Sequence, residues 1–432
     1  MCNLCRIVDK RREWTYVKKS LLVLSISLII ISGCGSQSTG SNGQPTPPDT
    51  LHYEPNKPIE VEQPLTTTDL GGFSFELFRT VFEEEGDLQN TLISPYSVQM
   101  ALLLLANGID ESNRELIMDT LYLSETDLDE ENERMQELLE IFKGYEEAEI
   151  KTANSLWHKD KLTVLEEYEE LISTFYNSEI HLMPDIQPED EINEWVSEKT
   201  NGLIPRMLDE VDPKVVAYLM NAVYFNANWQ NAFKENLTTE ETFHLLNGET
   251  IEHPMMKQTE KFPLIEGDSF RAIKIPYEQE GLYMAVVLPD EGEFENVGSN
   301  LEDAFNVEKW MHAKVELQMP AFSFSANYSL APKLTELGLG PLFQGKVGLP
   351  NMFNEHEPYE INRVIHKTFI DVDEKGTEAA AATGIEITVE SAEIIEIEPF
   401  IVDRPFFFAI MDDTTESVLF MGSVIEPMLK EE

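Results

Sequence analysis

Hydrophobic and polar positions change period along this chain. Phe73, Phe75, Leu77, Phe78, Val81 and Phe82 recur at helical spacing behind Asp69, a residue suited to an N-cap. Ser94-Pro95 opens a second helix with proline in its first turn. Met100 to Ala106 is apolar on every side, which predicts a buried helix. Helical patterns continue near 110–121, 126–144, 163–176 and 188–200. From 213 to 229 the chain turns strand-like through Val215, Val216, Tyr218, Val223, Tyr224 and Phe225. Further strands are expected over 239–245, 253–259, 270–277, 282–289 and 313–325. A short helical stretch follows near 329–338, then a strand over 364–374. Helices first and strands later predict a mixed α+β fold.

The pattern sharpens from Asp373 to Glu390, which reads D-E-K-G-T-E-A-A-A-A-T-G-I-E-I-T-V-E. Ala379 to Ala382 favour helix by propensity, yet they lie between Gly376 and a strictly alternating run. Ile385, Ile387 and Val389 take one parity; Glu386, Thr388 and Glu390 take the other. Such alternation marks a strand with one buried face. Traced backwards, the buried parity falls on Thr383, Ala381, Ala379 and Thr377, all of them small. Small inward residues let a strand slide between two existing strands without clash. This segment reads as a strand awaiting its place in a sheet.

The amino end carries other information. Lys10, Arg11, Arg12, Lys18 and Lys19 precede the apolar run Leu21 to Ile31, too short for a stable span and suited to a signal peptide. Ile31-Ser32-Gly33-Cys34 looks like a bacterial lipobox, in which Cys34 is acylated and becomes the new amino terminus. Residues 1–33 then form a lipoprotein signal peptide, and 34–66 form a tether rich in Ser, Gly and Pro. The chain is expected outside the cytoplasm, anchored to a membrane or in the extracellular space. Cys2, Cys5 and Cys34 are its only cysteines. Cys2 and Cys5 would leave with the signal, so residues 67–432 hold together by packing alone.

Net charge is −49, from 80 acidic and 31 basic residues, and losing residues 1–33 makes it more negative still. Such a surface repels nucleic acid and anionic headgroups. Catalytic motifs are absent or broken. Gly340-x4-Gly345-Lys346 mimics a phosphate loop, but Val347 replaces the hydroxyl that would hold magnesium. Asp371-x-Asp373-x-x-Gly376 begins like a calcium loop, with Lys375 where a ligand belongs and Ala382 at the place of the bidentate glutamate. No H-E-x-x-H or G-x-S-x-G occurs. No metal, cofactor or enzymatic activity is expected.

The hinge-like segment resembles the reactive-centre loop of the serpins. Asp403-Arg404-Pro405-Phe406-Phe407-Phe408, Leu419-Phe420-Met421-Gly422 and Glu426-Pro427 follow it as the family's closing strands do. Ile192-Asn193-x-Trp195-Val196-x3-Thr200-x-Gly202-x-Ile204 resembles the helix that crosses the front of the family's large sheet. The resemblance runs from about Thr68 to Pro427. It implies a serpin domain over 67–432, with a large mixed central sheet, smaller sheets, about eight or nine helices and a reactive loop near 374–403.

The resemblance also implies site residues. The hinge is Glu374, Gly376, Thr377, Ala379, Ala381 and Thr383. A sheet-opening cluster joins His366 to Asn221, Ser94 and Ser97, and Trp229 lies near the insertion point. Counting from Glu374 places the scissile bond at Glu390–Ser391, with Glu393, Ile395 and Glu396 as rival sites. Glu390 implies a target protease that prefers an acidic residue, such as a glutamyl endopeptidase. The implied activity is suicide inhibition of serine proteases, extending to cysteine proteases, by a monomer. A non-inhibitory carrier, chaperone or substrate-like serpin is the alternative. Two departures stand out. Ala321 follows Pro320 where many members carry a cation that pairs with the hinge glutamate, which leaves the partner of Glu374 open. The stretch 124–149 is acidic where heparin-activated members are basic, so no heparin-like polyanion can dock there.

Overall fold

Phe73, Leu77, Phe78 and Val81 turn one face of α1 (Leu70–Glu85) into the core. The computed structural model describes residues 70–430 apart from 87, 306–309, 362 and 378–396. After β1 (Thr91–Ile93), Ser94 caps α2 (Pro95–Gly108) by accepting the Ser97 N–H at 3.2 Å. Every residue of α2 except Ala101 is buried, as the unbroken apolar run predicts. α3 (Glu111–Thr120) is capped by Asp110. α4 (Leu128–Lys143) starts on Asp127 with acidic residues in its first turn and ends on Lys143, both favourable to the helix dipole.

β2 (Ala148–His158), α5 (Glu166–Tyr176), β3 (Ser178–Leu182), α6 (Pro188–Lys199) and β4 (Ala217–Asn228) complete the first half. β5 (Thr239–His244), β6 (Thr250–Glu266), β7 (Phe270–Pro276) and β8 (Leu282–Pro289) follow. Next come α7 (Phe294–Ser299), α8 (Glu302–Phe305), β9 (Met311–Pro320), β10 (Phe322–Ser329), α9 (Ala331–Leu334) and α10 (Gly340–Phe343). The chain ends through β11 (Ile365–Val372), β12 (Gly376–Thr377), β13 (Ile397–Ile401), β14 (Phe406–Asp412) and β15 (Ser417–Val424).

Two sheets result. The nine-stranded sheet runs β1-β15-β14-β8-β7-β6-β9-β13, with β5 beside β6. The six-stranded sheet runs β10-β11-β12-β4-β2-β3; it is mixed, because β2 and β3 are parallel and the other pairs antiparallel. β4 divides its faces by parity. Phe225 and Ala227 look into the main core, towards α2, whereas Met220 and Ala222 pack with Ile192, Trp195 and Val196 of α6. α6 therefore lies across one face of the sheet and α2 beneath the other.

One expected strand proves to be two. Residues 313–325 divide at Ala321: β9 pairs with β6 in the large sheet, and β10 pairs with β11 in the smaller one. Both halves are apolar and β-prone, so composition carries no mark of the change of sheet. β2 escapes a pattern reading for the opposite reason. Its buried half includes the polar Asn154 and Ser155, which break any apolar alternation.

Candidate functional site at the hinge of the six-stranded sheet

β12 is two residues long, yet it joins two strands. Gly376 and Thr377 pair with Asn228 and Ala227 of β4, and Thr377 pairs with Val372 of β11. Among the described residues no ladder joins β11 directly to β4. The start of the hinge is thus already a strand in the gap. Gly376 is required at that place: a Cβ there would meet the Ala227 carbonyl oxygen at 2.1 Å.

A ring of contacts holds this start. Trp229 donates its backbone N–H to Lys375 O at 2.8 Å and its indole N–H to Asp373 O at 2.9 Å. Phe233 N–H donates to Glu374 O at 2.7 Å. Asp373 Oδ1 accepts the N–H groups of Lys375 and Gly376 at 2.8 and 3.2 Å, closing the turn. Burial raises the Asp373 carboxyl pKa, and those two N–H groups oppose the rise. The Thr238 hydroxyl donates to Glu374 Oε1 at 2.6 Å. Thr238 therefore takes the role that Ala321 cannot fill. The Tyr277 and Thr377 hydroxyls lie 2.7 Å apart, and the Tyr277 ring stacks on Trp229 at 4.5 Å.

Beyond Thr377 the gap narrows to a pocket of about 20 Å³ between Val223–Phe225 and Phe369–Asp371. Farther along it opens again. A cavity of about 490 Å³ is lined by Ala217–Asn221 of β4 and by Val364, Ile365 and His366 on the other side. The path between β4 and β11 is therefore filled by β12 at one end, tight at its waist and open at the other.

A polar cluster sits at the far side of that waist, on the first turn of α2. Ser94 N–H donates to His366 Nε2 at 3.0 Å. Ser97 Oγ donates to Asn221 Oδ1, and Asn221 Nδ2 donates to Asn154 Oδ1 at 2.5 Å. Asn154 Nδ2 in turn donates to Tyr176 O at 2.8 Å. His366 is buried among apolar groups, which pushes its pKa down to about 4 and keeps the ring neutral. β11 is tied to α2 through Ser94, and β4 is tied to it through Ser97. Parting the two strands must disturb one of these ties.

Residues 69–427 match the family described as serpin (serine protease inhibitor). The chain belongs to the serpin family. A serpin-like protein of Thermococcus kodakarensis, itself uncharacterized, is 35% identical over 440 residues, covering 95% of this chain and 99% of its own. The leukocyte elastase inhibitor of Equus caballus is 32% identical over 375 residues, covering 82% of this chain and 97% of its own. Human thyroxine-binding globulin complexed with thyroxine superposes with a TM-score of 0.75 at 26% identity, covering 84% of this chain and 98% of that one. The α+β serpin fold expected from the sequence is the fold observed.

This serpin brings Glu374, Gly376, Thr377 and Trp229 together at the top of the gap. The expected sheet-opening cluster differs in one respect. The resemblance joins His366 to Asn221, but among the described residues they share no hydrogen bond, and each is held separately by α2. The His366 ring nitrogen is taken by a backbone N–H, and the Asn221 amide reaches sideways to Asn154. Ala379, Ala381, Thr383, the Glu390–Ser391 bond, Glu393, Ile395, Glu396 and Cys34 lie outside the described residues. Sequence reasoning missed Thr238, Tyr277, Phe233 and Asn154. None stands in a motif; only a sheet register places them beside the hinge or the cluster.

Proposed function

We propose that this serpin is a suicide-substrate inhibitor of serine proteases and not an enzyme. The observation that carries the reading is β12, a strand begun between β4 and β11 and continued by no described residue. In the proposed cycle the target attacks the reactive loop and forms an acyl-enzyme. The freed segment extends β12 down the gap, and roughly 15 residues at about 3.3 Å each carry the protease on the order of 50 Å. The distorted protease stalls before deacylation. The uncut state is then held by a kinetic barrier.

Continuing the β12 register gives this path its detail. Thr377 opposite Ala227 and Val372 brings Ala379 level with Phe225 and Ile370, and Thr383 level with Asn221 and His366. Ile385 and Ile387 then arrive at Leu219 and Ala217, over the 490 Å³ cavity. The inward parity is small where the gap is tight and large where it is open. That match was not required by the alternation of the loop alone.

Within the same reading, the scissile bond is Glu390–Ser391 and the target prefers an acidic residue. Residues 1–33 act as a lipoprotein signal, Cys34 carries the lipid, and the inhibitor works as a membrane-anchored monomer outside the cytoplasm. A carrier role is the second reading, favoured by the likeness to thyroxine-binding globulin. The deciding experiment mixes the protein with a panel of serine proteases and resolves the products on denaturing gels. A covalent complex that is lost in Thr377→Arg supports inhibition, because the substitution brings an unpaired cation to a position now 3% exposed. Clean cleavage by every protease, with no complex, overturns it.

A further inference from the structure

The cavity at the lower end of the gap has a lining and a rim of different character. Ala101, Leu102 and Leu105 of α2, Leu219, Met352 and Val364 make most of its wall apolar. Its walls are fixed rather than loose: Val347 and Tyr359 exchange backbone hydrogen bonds of 2.8 Å, and Lys159 N–H donates to Val216 O at 2.9 Å. Lys214, Lys346 and Arg363 stand exposed at its edge, and no ion pair engages them among the described residues. Asp212 and Glu360 also line it, but Asp212 Oδ1 already accepts the Lys214 N–H at 2.8 Å. On a chain with 80 acidic and 31 basic residues, a rim with more cations than acids is a local reversal of sign. Tyr218 also lines the cavity, with its ring packed on the α6 side of the sheet.

We infer that this cavity binds one amphipathic carboxylate, an alkyl chain of medium length with its headgroup at Arg363 and Lys346. A volume of about 490 Å³ falls within the roughly 300–1,000 Å³ of small-molecule sites and leaves room for such a chain. The guanidinium of Arg363 offers a planar pair of donors to a carboxylate. The site deepens the insertion reading and rests on it in one respect. Because Ile385 and Ile387 would arrive in the same space, bound ligand and inserted loop exclude each other. By linkage, a ligand of the uncut state alone opposes insertion, and the occupied inhibitor behaves as a substrate.

Calorimetric titration of dodecanoate, below its micelle concentration, into the full uncut chain tests the site. One saturable site is expected, weakened about tenfold in the double variant K346E/R363E and unchanged in K143E/K234E, which alters the same charge elsewhere. Uptake that does not saturate, or equal loss in both double variants, overturns the proposal. A second arm uses the loop-cleaved chain. Where cleavage raises Tm, dodecanoate binding must disappear; retained binding overturns the competition. Where cleavage leaves Tm unchanged, the insertion reading itself fails, and the titration of the uncut chain still decides the cavity.

Discussion

The hydroxyls of Tyr277 and Thr377 lie 2.7 Å apart, and both residues are buried. Tyr277 reaches Thr377 from the end of β7, stacked on Trp229, which itself grips Asp373 and Lys375. One aromatic pair thus clamps the hinge from its flank. Tyr277→Phe keeps the stack and removes the hydroxyl contact, leaving Thr377 Oγ1 buried without its partner. The cost is about 1–3 kcal/mol on the docked hinge. Amide exchange at Gly376 and Thr377 should accelerate severalfold while exchange in β4 and β11 stays slow. Unchanged exchange at the hinge would mean that the Gly376 and Thr377 pairing holds without this bond.

The buried His366 predicts a pH response. Its folded-state pKa is depressed to about 4, whereas an unfolded histidine titrates near 6.5. Between those values the unfolded chain binds a proton that the folded chain refuses, so stability falls as pH drops from about 6.5 and levels off below about 4. A separation of this size is worth about 3 kcal/mol. Protonation also removes the lone pair that accepts the Ser94 N–H. Urea midpoints measured from pH 7.5 to 4 on wild type and His366→Gln isolate the effect, since the carboxylates titrate alike in both. Parallel curves for the two proteins would count against a neutral, buried His366.

The proposed scissile bond assigns target specificity to Glu390. Glu390→Arg should abolish inhibition of a glutamyl-specific protease and create inhibition of a trypsin-like one, because a buried unpaired charge costs roughly 3–5 kcal/mol in the wrong pocket. Mass spectrometry of the released carboxy-terminal fragment identifies the bond. A fragment beginning at Ser391 agrees with the count from Glu374; one beginning at Ile394 or Ile397 moves the site to Glu393 or Glu396.

Cell fractionation tests the anchor. Cys34→Ser should shift the protein from the membrane fraction to the soluble one, since the lipid would be its only attachment. A variant that stays in the membrane with residues 1–33 intact would instead identify Leu21–Ile31 as the anchor.

How much of this could be read from the chain follows from what periodicity encodes. The four helices expected over 110–200 are found as α3, α4, α5 and α6, because each buries one stripe and exposes the other. Thr377 is recognisable as an inward hinge position because a strand that must enter a sheet needs small inward groups, whereas Gly376 is assigned to the hinge by the resemblance to the serpins. Periodicity says nothing of which strand lies beside which. The break at Ala321, the polar strand β2 and the Thr238–Glu374 bond all depend on neighbours distant in sequence. Ala321 marked a missing partner for Glu374, yet nothing in the sequence pointed to Thr238 as its replacement.

The two residues of β12 have a kinetic meaning. A strand that joins a sheet from solution must first find its alignment, and a slip by one residue turns every side chain to the wrong face. In the proposed insertion that search is over before any bond in the loop is cut, because Thr377 is already in register with Ala227 and Val372. Further growth would then be a zipper closing from a formed nucleus. Its pace is then governed by how fast Val223–Phe225 and Phe369–Asp371 part, so mutations that loosen this waist should change the speed of closing and leave its alignment untouched.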